Sequence, residues 1–561
     1  MRRALTVFLM ALWPSVVCIA QTPPPLPPGF QPSPRDTSAQ TGTAILRGHI
    51  YDASNGAPLR KVQVRVTSPE LRENRVAITD DRGAYEIRNL PASRYQLTAS
   101  KGSYVALQYG QTRPFEQGKP LEVRDAQVLE KVDLSLPRGA VITGRVVDEA
   151  GEPTADVNVQ VMRYQYANGR RQLAPVRAAQ TNDIGEYRLF ALPPGQYVIS
   201  ATFRGGLNFI NDAAPDNRLG YAPTYFPGTA NVTDAQRITV GLAQTISDIN
   251  IALSPTRLAR ISGVAVDSNG KPVSQGLLLL TQTGGTMFLQ NVGGQTQPDG
   301  SFTIPNVAPG DYAVRVLQSS AAGGNANELI QGEVSVAGDD INSLRLIGIK
   351  PSTVTGRVIP PPGRDASTLR DLQLLFIPRA PVPLGGNSGG RVNEDGTFEL
   401  KVSPGNSLLR LNPTGGFAAM RITTVRLNGV DVTDTGVDIR PNQDLGGLEV
   451  ALTTQLASVV GMVTDTRGNA VKDYTVLIFA RDRERWEPTS RYLYSARPDQ
   501  DGRYKAQYVL PGAYYAVALD YVEQGANSDP EFLERVKDRA IELSIADTET
   551  KSLDLKLVTG L

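Results

Sequence analysis

A short motif is repeated five times along the chain, and this repetition constrains the fold more than any other feature. Each copy contains a glycine, one intervening residue and an aromatic residue, and a second marker follows ten residues after the aromatic. The glycine and aromatic pairs are Gly83/Tyr85, Gly185/Tyr187, Gly300/Phe302, Gly396/Phe398 and Gly502/Tyr504. The second markers are Tyr95, Tyr197, Tyr312, Leu408 and Tyr514. A motif that recurs at domain-sized intervals within one chain indicates tandem modules.

Each copy predicts two short antiparallel strands joined by a turn. An aspartate one or two residues before the glycine is predicted to cap a tight turn through its side chain. These aspartates are Asp81, Asp183, Asp299, Asp395 and Asp501. The residues from Tyr85 to Arg88 alternate between apolar and polar, which is the period of a half-buried strand. The aromatic rings are therefore expected to point into the core.

Further strands flank each copy and complete a module. Each module opens with a strand that carries a glycine: Gly48, Gly144, Gly263, Gly356 and Gly461. Each closes with a pair of strands, in Leu121–Leu136, Ile238–Leu253, Glu333–Leu346, Val437–Leu452 and Ile541–Leu557. Short strands with frequent turn signals and little helical periodicity predict an all-β chain of five tandem Greek-key β-sandwich modules, similar to immunoglobulin-like sandwiches. Asp529–Ala540 is the best helix candidate, with Pro530 near its start.

The predicted module boundaries divide the chain after its N-terminal region. The modules are 45–138, 139–257, 258–350, 351–455 and 456–561, called here the first to fifth modules. The fourth module is degenerate, because three prolines replace its opening turn and Leu408 replaces the tyrosine. A linear row of independent modules is the expected arrangement, since a single domain of this length is unusual.

The N-terminal region predicts export. Residues 1–20 have two arginines followed by an apolar stretch too short to span a membrane, and cleavage is predicted after Ala20. The alternative is a lipoprotein acylated at Cys18, the only cysteine. Residues 21–44 are rich in proline and predict a stiff, extended linker. A secreted, periplasmic or cell-surface location follows, with no membrane span in the mature chain.

Composition argues against catalysis and against nucleic acid as a partner. The 57 lysines and arginines nearly balance 56 aspartates and glutamates, without a basic block to follow a phosphate backbone. His49 is the only histidine, which is too few for a three-histidine zinc site. No Gly-x-Ser-x-Gly elbow and no complete calcium loop occurs. We therefore expect no enzymatic activity, no catalytic residue, no metal and no cofactor.

Aromatic residues in two predicted loop insertions are the candidate ligand contacts. Tyr221, Tyr225 and Phe226 lie in the second module. Trp486, Tyr492 and Tyr494 lie in an insertion of the fifth module that is rich in arginine and glutamate. Such rings stack on sugars or anchor a protein partner, and the alternative is that they pack locally against the sandwich.

The module sequence resembles the carboxypeptidase regulatory-like domain family. The resemblance is carried by Asp148–Pro153 (Asp-x-x-Gly-x-Pro), Thr181–Tyr187 (Thr-Asn-Asp-x-Gly-x-Tyr) and Leu192–Tyr197 (Leu-Pro-Pro-Gly-x-Tyr). It implies a transthyretin-like, prealbumin-type sandwich, grouped with starch-binding-like folds, and an accessory rather than catalytic role. The zinc ligands that a carboxypeptidase needs are missing from this chain.

Three functional hypotheses remain open from the sequence. The first is an exported, non-catalytic binding or structural protein of the cell envelope. The second is a carbohydrate-binding protein that uses the loop aromatics. The third is an accessory subunit of an outer-membrane or transport assembly, in which a sheet edge pairs with a partner strand. The partner is accordingly an unknown envelope protein or a polysaccharide.

Overall fold

The computed structural model describes residues 42–560 apart from 69–70, 72, 168, 204–218, 284–288, 291–293, 319–327, 380–387 and 413–416. The described residues form β-strands connected by turns, with one α-helix and a few short 3-10 turns. This confirms the all-β fold class. The predicted signal peptide and nearly all of the predicted linker lie outside the described residues.

The strands are numbered in chain order. In the first module they are β1 (Ala44–Asp52), β2 (Gln63–Thr67), β3 (Arg75–Ile78), β4 (Ala84–Leu90), β5 (Ser93–Ser100), β6 (Leu107–Gln108), β7 (Leu121–Val123), β8 (Val128–Leu129) and β9 (Leu134–Leu136). In the second module they are β10 (Ala140–Val147), β11 (Val157–Ala167), β12 (Arg170–Gln180), β13 (Glu186–Leu192), β14 (Gly195–Phe203), β15 (Leu219–Tyr221), β16 (Thr224–Tyr225), β17 (Ile238–Val240), β18 (Thr245–Ile246), β19 (Ile251–Ala252) and β20 (Pro255–Arg257).

The third and fourth modules continue the numbering. The third contains β21 (Ala259–Val266), β22 (Leu277–Gln282), β23 (Leu289–Gln290), β24 (Ser301–Val307), β25 (Gly310–Leu317), β26 (Leu329–Val336) and β27 (Ile341–Ile349). The fourth contains β28 (Ser352–Ile359), β29 (Gln373–Pro378), β30 (Ser388–Arg391), β31 (Thr397–Val402), β32 (Gly405–Asn412), β33 (Arg421–Leu427), β34 (Val430–Asp431), β35 (Val437–Ile439) and β36 (Leu445–Thr453).

The fifth module holds the one α-helix of the described residues. Its strands are β37 (Ala457–Thr464), β38 (Ala470–Val471), β39 (Thr475–Ala480), β40 (Leu493–Ala496), β41 (Arg503–Val509), β42 (Gly512–Leu519), β43 (Ile541–Ile545), β44 (Thr550–Ser552) and β45 (Leu555–Val558). Helix α1 (Pro530–Lys537) lies within the predicted helical stretch. It begins where the Asp529 carboxylate accepts a hydrogen bond from the backbone N–H of Glu531, which satisfies one unpaired donor of the first turn.

One strand pairing recurs in the same register five times. The opening strand of each segment pairs antiparallel with the strand that carries the motif's aromatic residue. The opening glycine lies opposite that aromatic each time: Gly48↔Tyr85, Gly144↔Tyr187, Gly263↔Phe302, Gly356↔Phe398 and Gly461↔Tyr504. The predicted repeat is therefore a repeat of three-dimensional pairing as well as of sequence.

Close packing explains why the opening position is glycine. A Cβ at Gly48 would collide with the backbone carbonyl of Val132 and would lie 3.0 Å from the Tyr85 hydroxyl oxygen. That hydroxyl donates to the same Val132 carbonyl at 2.6 Å. Burial raises the pKa of Tyr85, so the hydroxyl stays protonated and remains a donor. The ring thus ties the opening strand to the closing segment of the module.

In the first and second modules, the closing strands separate into different sheets. In the first module, β7 pairs antiparallel with β5, whereas β8 and β9 pair in parallel with the opening strand β1. The second module repeats this with β17 on β14 and with β18 and β19 on β10. Parallel pairing between the opening and a closing strand also occurs in the other three segments. A sheet containing β1 therefore faces a sheet containing β5, as a sandwich requires.

The five motif turns share one geometry, with a capping residue that differs from the predicted one in three copies. Each turn glycine has φ between +72° and +84°, a region that residues with a Cβ rarely adopt. Asp299 and Asp395 cap their turns as predicted, by accepting a backbone N–H two residues on. In the other copies the cap is the residue three before the glycine: Asp80, Asn182 and Asp499. The prediction was wrong for Asp81, Asp183 and Asp501, because the side chain at the start of the turn reaches the N–H four residues on.

The second tyrosine of the motif holds the following turn in place. The Tyr197 hydroxyl donates to the carbonyl of Pro193 at 2.6 Å. The same bond to the carbonyl four residues earlier is made by Tyr95, Tyr312 and Tyr514. Leu408 is buried at the corresponding place in the fourth module but has no hydroxyl to donate.

Separate hydrophobic cores support the proposed module boundaries. Five of the clusters formed by the described residues each stay within one segment: 44–136, 140–253, 259–346, 354–452 and 457–555. Each cluster contains the motif aromatic of its own segment. We propose these five segments as the modules of the chain.

The modules do not form the linear row that the sequence predicts. Glu116 of the first module forms an ion pair with Arg497 of the fifth at 2.6 Å, and both side chains are at most 2% exposed. Arg163 of the second module pairs with Glu523 of the fifth at 2.8 Å. The fourth module contacts the fifth through Asp434 and Arg491 at 2.9 Å. The expectation of independent modules was wrong because the fifth module buries polar side chains against three others.

Candidate binding cleft between the first, second and fifth modules

The predicted aromatics of the second module pack locally. Tyr225 is buried against Met162, Leu173 and Val198, and Phe226 is partly buried against the core of its own module. Tyr221 is partly buried, and its hydroxyl donates to Glu149 at 2.5 Å. That hydrogen bond, together with burial, raises the pKa of Tyr221 to about 12. In this structure the three rings cover the edge of the sandwich.

The predicted aromatics of the fifth module are also enclosed. Trp486 is 2% exposed, and its indole N–H donates to the Ala480 carbonyl at 2.6 Å. The Tyr494 hydroxyl donates to the Arg491 carbonyl at 2.7 Å. Tyr492 is partly buried, with the guanidinium groups of Arg485 and Arg491 4.4 and 5.1 Å from its ring centre. The arginine-rich insertion thus packs over its own rings, and the six predicted contacts are divided among four hydrophobic clusters in two modules rather than gathered in one site.

A different set of residues encloses a cleft of about 430 Å³. Three modules line it, through the loop Arg113–Phe115, the turn Pro194–Val198, the strands β11 and β12, and Tyr521 with Glu523. Its volume lies in the usual range of ligand sites, about 300 to 1,000 Å³. Because the first, second and fifth modules each supply part of this lining, the cleft exists only when those modules are docked.

The inner part of the cleft is fixed by a paired arginine. The Arg163 guanidinium stacks on the Phe115 ring, 3.3 Å from the ring centre, and pairs with Glu523 at 2.8 Å. A Cβ at Gly195 would lie 3.3 Å from the Phe115 ring. The motif turn of the second module therefore accommodates a ring of the first. The side chain of Arg163 is only 11% exposed, so this part of the cleft is preorganised.

The outer part carries unpaired positive charge. The guanidinium groups of Arg171 and Arg237 lie 5.7 and 5.2 Å from the centre of the Tyr164 ring, and both arginines are exposed. Neither forms an ion pair with any described carboxylate. Arg113, the fourth lining arginine, pairs with Asp520 at 3.3 Å. Four arginines thus face two carboxylates, which leaves two positive charges at the opening of the cleft.

The docked interface is held by the loop that supplies Phe115. The Phe115 carbonyl accepts a hydrogen bond from the backbone N–H of Gln524 at 3.0 Å, and Phe115 has φ of +61°. A bulky residue rarely adopts this conformation, so the surrounding contacts must maintain it. Thr112, just before this loop, donates to Asp473. Burial alone would raise the pKa of Asp473, but this hydrogen bond and the charges of Lys119 and Arg497 lower it overall.

Sequence reasoning missed this cleft although one signal was present. Tyr109–Gly118 (YGQTRPFEQG) follows the second motif strand of the first module, as Tyr221–Gly228 does in the second. Both stretches have a tyrosine followed three residues later by a threonine. Treating the loops as equivalent would have singled out Phe115. Arg171 and Arg237 carry no such signal, because single arginines at strand and loop positions are common.

Within the described ranges, no group of three or more histidine, cysteine, aspartate or glutamate side chains is arranged to hold a metal ion. The described part of the chain also contains no helix with the length and apolar character of a membrane span. His49 is about half exposed and lies 3.7 Å from Asp133.

Two segments match the sequence model of the carboxypeptidase regulatory-like domain family, residues 45–135 and 141–254. These are almost the whole of the first and second modules, which confirms the resemblance seen in their motifs. No curated protein sequence matches the chain.

Several solved structures of bacterial proteins, among them pilins, are similar to parts of the chain. The Bacillus anthracis TIE protein is 11% identical, with 75% of this chain and 74% of that one covered and a TM-score of 0.15. A streptococcal ancillary pilin is 11% identical, with coverages of 54% and 98% and a TM-score of 0.19. BcpA, the major pilin subunit of Bacillus cereus, is 11% identical, with coverages of 54% and 99% and a TM-score of 0.14.

Proposed function

We propose that the chain is an exported, non-catalytic multi-domain protein of the cell envelope that binds a partner through surfaces created by docked modules. The observation that carries this proposal is the cleft lined jointly by the first, second and fifth modules. The buried ion pair joins Glu116 and Arg497, which are 381 residues apart in sequence. A protein that served only as a spacer would gain nothing from such a pair. Such a pair is costly to bury, and its best-attested use is to specify one arrangement.

The absence of enzymatic activity is part of the same proposal. The lining of the cleft offers arginines, aromatic rings and one glutamate that is already paired with Arg163. Because that carboxylate is already held by the Arg163 guanidinium at 2.8 Å, the lining residues offer no free carboxylate to act as a general base. Hydrolysis of a peptide or glycan by the purified protein, abolished by Glu523→Gln, would contradict the proposal.

Location and partner can be tested in the native host. We expect the chain in the envelope or extracellular fraction, with a mature N-terminus at Gln21, when fractions are probed with antibody and the N-terminus is sequenced. Cross-linking in intact cells should then capture a specific partner. Recovery of the full-length chain from the cytoplasm, with residues 1–20 retained, would contradict export. A lipid-modified Cys18 would place the same protein on a membrane surface.

Carbohydrate binding is the second candidate function. The cleft is a better candidate for the sugar site than the aromatic loops predicted from the sequence. Trp486 and Tyr225 are buried, so neither is presented for stacking on a sugar. Retention on insoluble polysaccharides is the direct measurement. We expect Tyr225→Ala and Trp486→Ala to lower stability, and any loss of retention in those variants should follow the loss of folded protein.

A further inference from the structure

The cleft combines two features that single out a class of ligand. Its opening carries Arg171 and Arg237 without carboxylate partners, and its walls carry the rings of Phe115, Tyr164 and Tyr521. Guanidinium groups bind carboxylates through paired, parallel hydrogen bonds, and they are weakly hydrated for a cation. Aromatic walls add apolar contact area for a ring-shaped ligand. We propose that this cleft binds an acidic saccharide, with the sugar carboxylate held by Arg171 and Arg237.

The volume and the charge balance support a saccharide unit rather than an isolated small anion. A cleft of about 430 Å³ is much larger than a single carboxylate or phosphate group needs. Arg163 and Arg113 are already neutralised by Glu523 and Asp520. The uncompensated charge is therefore confined to the opening, where one acidic substituent of a longer chain can reach it while the ring lies against the walls.

An acidic peptide is a weaker fit to the same surface. Extended peptides gain affinity by adding a strand to an exposed sheet edge. The edge strand beside the cleft is β12, which contains Arg171 and is interrupted by Pro175. Proline has no backbone N–H, so the ladder of hydrogen bonds cannot continue past it.

The inference rests on the proposed binding role and adds to it the class of ligand and the residues that hold the ligand.

The test is calorimetric titration of the chain Gln21–Leu561 with trigalacturonate, a short oligomer of an acidic sugar. Its methyl ester is the matched neutral probe, because it keeps the rings and removes the charge. Inorganic phosphate and hexaglutamate are the competing anions. We expect the free acid to bind, and its affinity to exceed that of each other probe by at least about tenfold, since hydrogen bonds to charged groups contribute strongly.

Two double variants distinguish binding in the cleft from nonspecific attraction to positive surface charge. Arg171→Gln with Arg237→Gln removes both exposed guanidinium groups and should lower affinity for the free acid at least about tenfold. Arg177→Gln with Arg188→Gln is the matched control, because those guanidinium groups also lie over one ring, that of Phe190, outside the cleft lining. The control should bind like the wild type.

Four results would overturn the proposal. They are equal binding of the methyl ester, equal or tighter binding of phosphate or hexaglutamate, unchanged affinity in the cleft variant, and equal loss in the control variant. Absence of binding to any probe also counts against it. None of these results affects the envelope role, which is judged separately by fractionation and cross-linking. Circular dichroism of both double variants should match the wild type, because all four arginine side chains are exposed.

Discussion

At the scale of single residues, each opening glycine is enclosed between a carbonyl and an aromatic ring. The sequence pattern located both partners of this contact, since the spacing from glycine to aromatic recurs five times. It could not show that the third partner is a carbonyl of the closing segment: that of Val132, Ile249, Leu344, Leu448 or Leu553. The glycine, the aromatic ring and the carbonyl thus form one contact that recurs in all five modules.

Gly48→Ala should therefore be strongly destabilising. The new Cβ would meet the backbone carbonyl of Val132, and a backbone group cannot move aside without shifting a strand. We expect a loss of about 3 kcal/mol, the upper end of the usual overpacking cost. Gly102→Ala is the control, because a Cβ there meets nothing within 4 Å. Urea unfolding of both variants would measure the difference, and equal stabilities would contradict the packing argument.

Asp52 makes the stability of the first module depend on pH in the acidic range. Its carboxylate accepts hydrogen bonds from the Ser54 side chain and backbone and from the Tyr104 hydroxyl, and these bonds lower its pKa to about 2. Because the pKa is lowered by folding, the stabilisation is complete above the ordinary aspartate value of about 3.9 and is lost as pH falls towards about 2.

The expected size of this effect is about 2 kcal/mol. Calorimetric melting of the wild type and Asp52→Asn between pH 2 and pH 7 would measure it. The variant should melt lower at pH 7 and should lose less stability than the wild type on acidification. Parallel pH profiles for the two proteins would show that Asp52 is not responsible.

At the scale of elements, the motif strands were predictable and the docking loop was not. Strands repeat because every module must bury the same two faces, so apolar alternation and turn residues recur in each copy. The loop Arg113–Glu116 contacts the fifth module at several points, but in the described part of the chain the other modules do not repeat this interface. Its partners Arg497 and Gln524 carry no periodic pattern, and contacts between distant residues that occur in only one module leave no signal in one sequence.

Removing the buried partner at this loop should be costly. Glu116→Gln leaves the guanidinium of Arg497 buried with Asp473 as its remaining charged partner. We expect a loss of about 3 kcal/mol, the lower end for breaking a buried ion pair. Glu394→Gln is the matched control, because its pair with Arg370 is exposed on both sides and should contribute less than about 1 kcal/mol. Chemical denaturation would contradict the prediction if both variants lost the same stability.

At the scale of the whole described region, the fifth module holds together modules from both halves of the sequence. The expectation of a linear row came from the spacing of the motifs. This spacing shows where each module begins but not which other modules its surface contacts. Interfaces between modules are built from side chains that differ between copies. In physical terms, the repeat encodes the cores, and the departures from the repeat encode the assembly.

A cysteine pair would test this assembly in solution. Glu122 and Gln500 exchange hydrogen bonds between the first and fifth modules at 3.2 and 3.3 Å. Glu122→Cys with Gln500→Cys, in a Cys18→Ser background, should be joined within one chain by a short thiol cross-linker. The product should migrate faster on a denaturing gel. Either single variant is the control for links between chains, and a pair that yields only such links would contradict the docked arrangement.

The parallel pairing of opening and closing strands also determines how a module responds to mechanical force. In a parallel pair, the chain enters at one end of the first strand and leaves at the opposite end of the other. Tension applied through the neighbouring modules therefore pulls the two strands past each other along their length. All hydrogen bonds of the pair, such as Ile50↔Leu134 to Asp52↔Leu136, then share the load instead of opening one after another. Under tension, the interfaces between modules should therefore separate before the paired strands within each module.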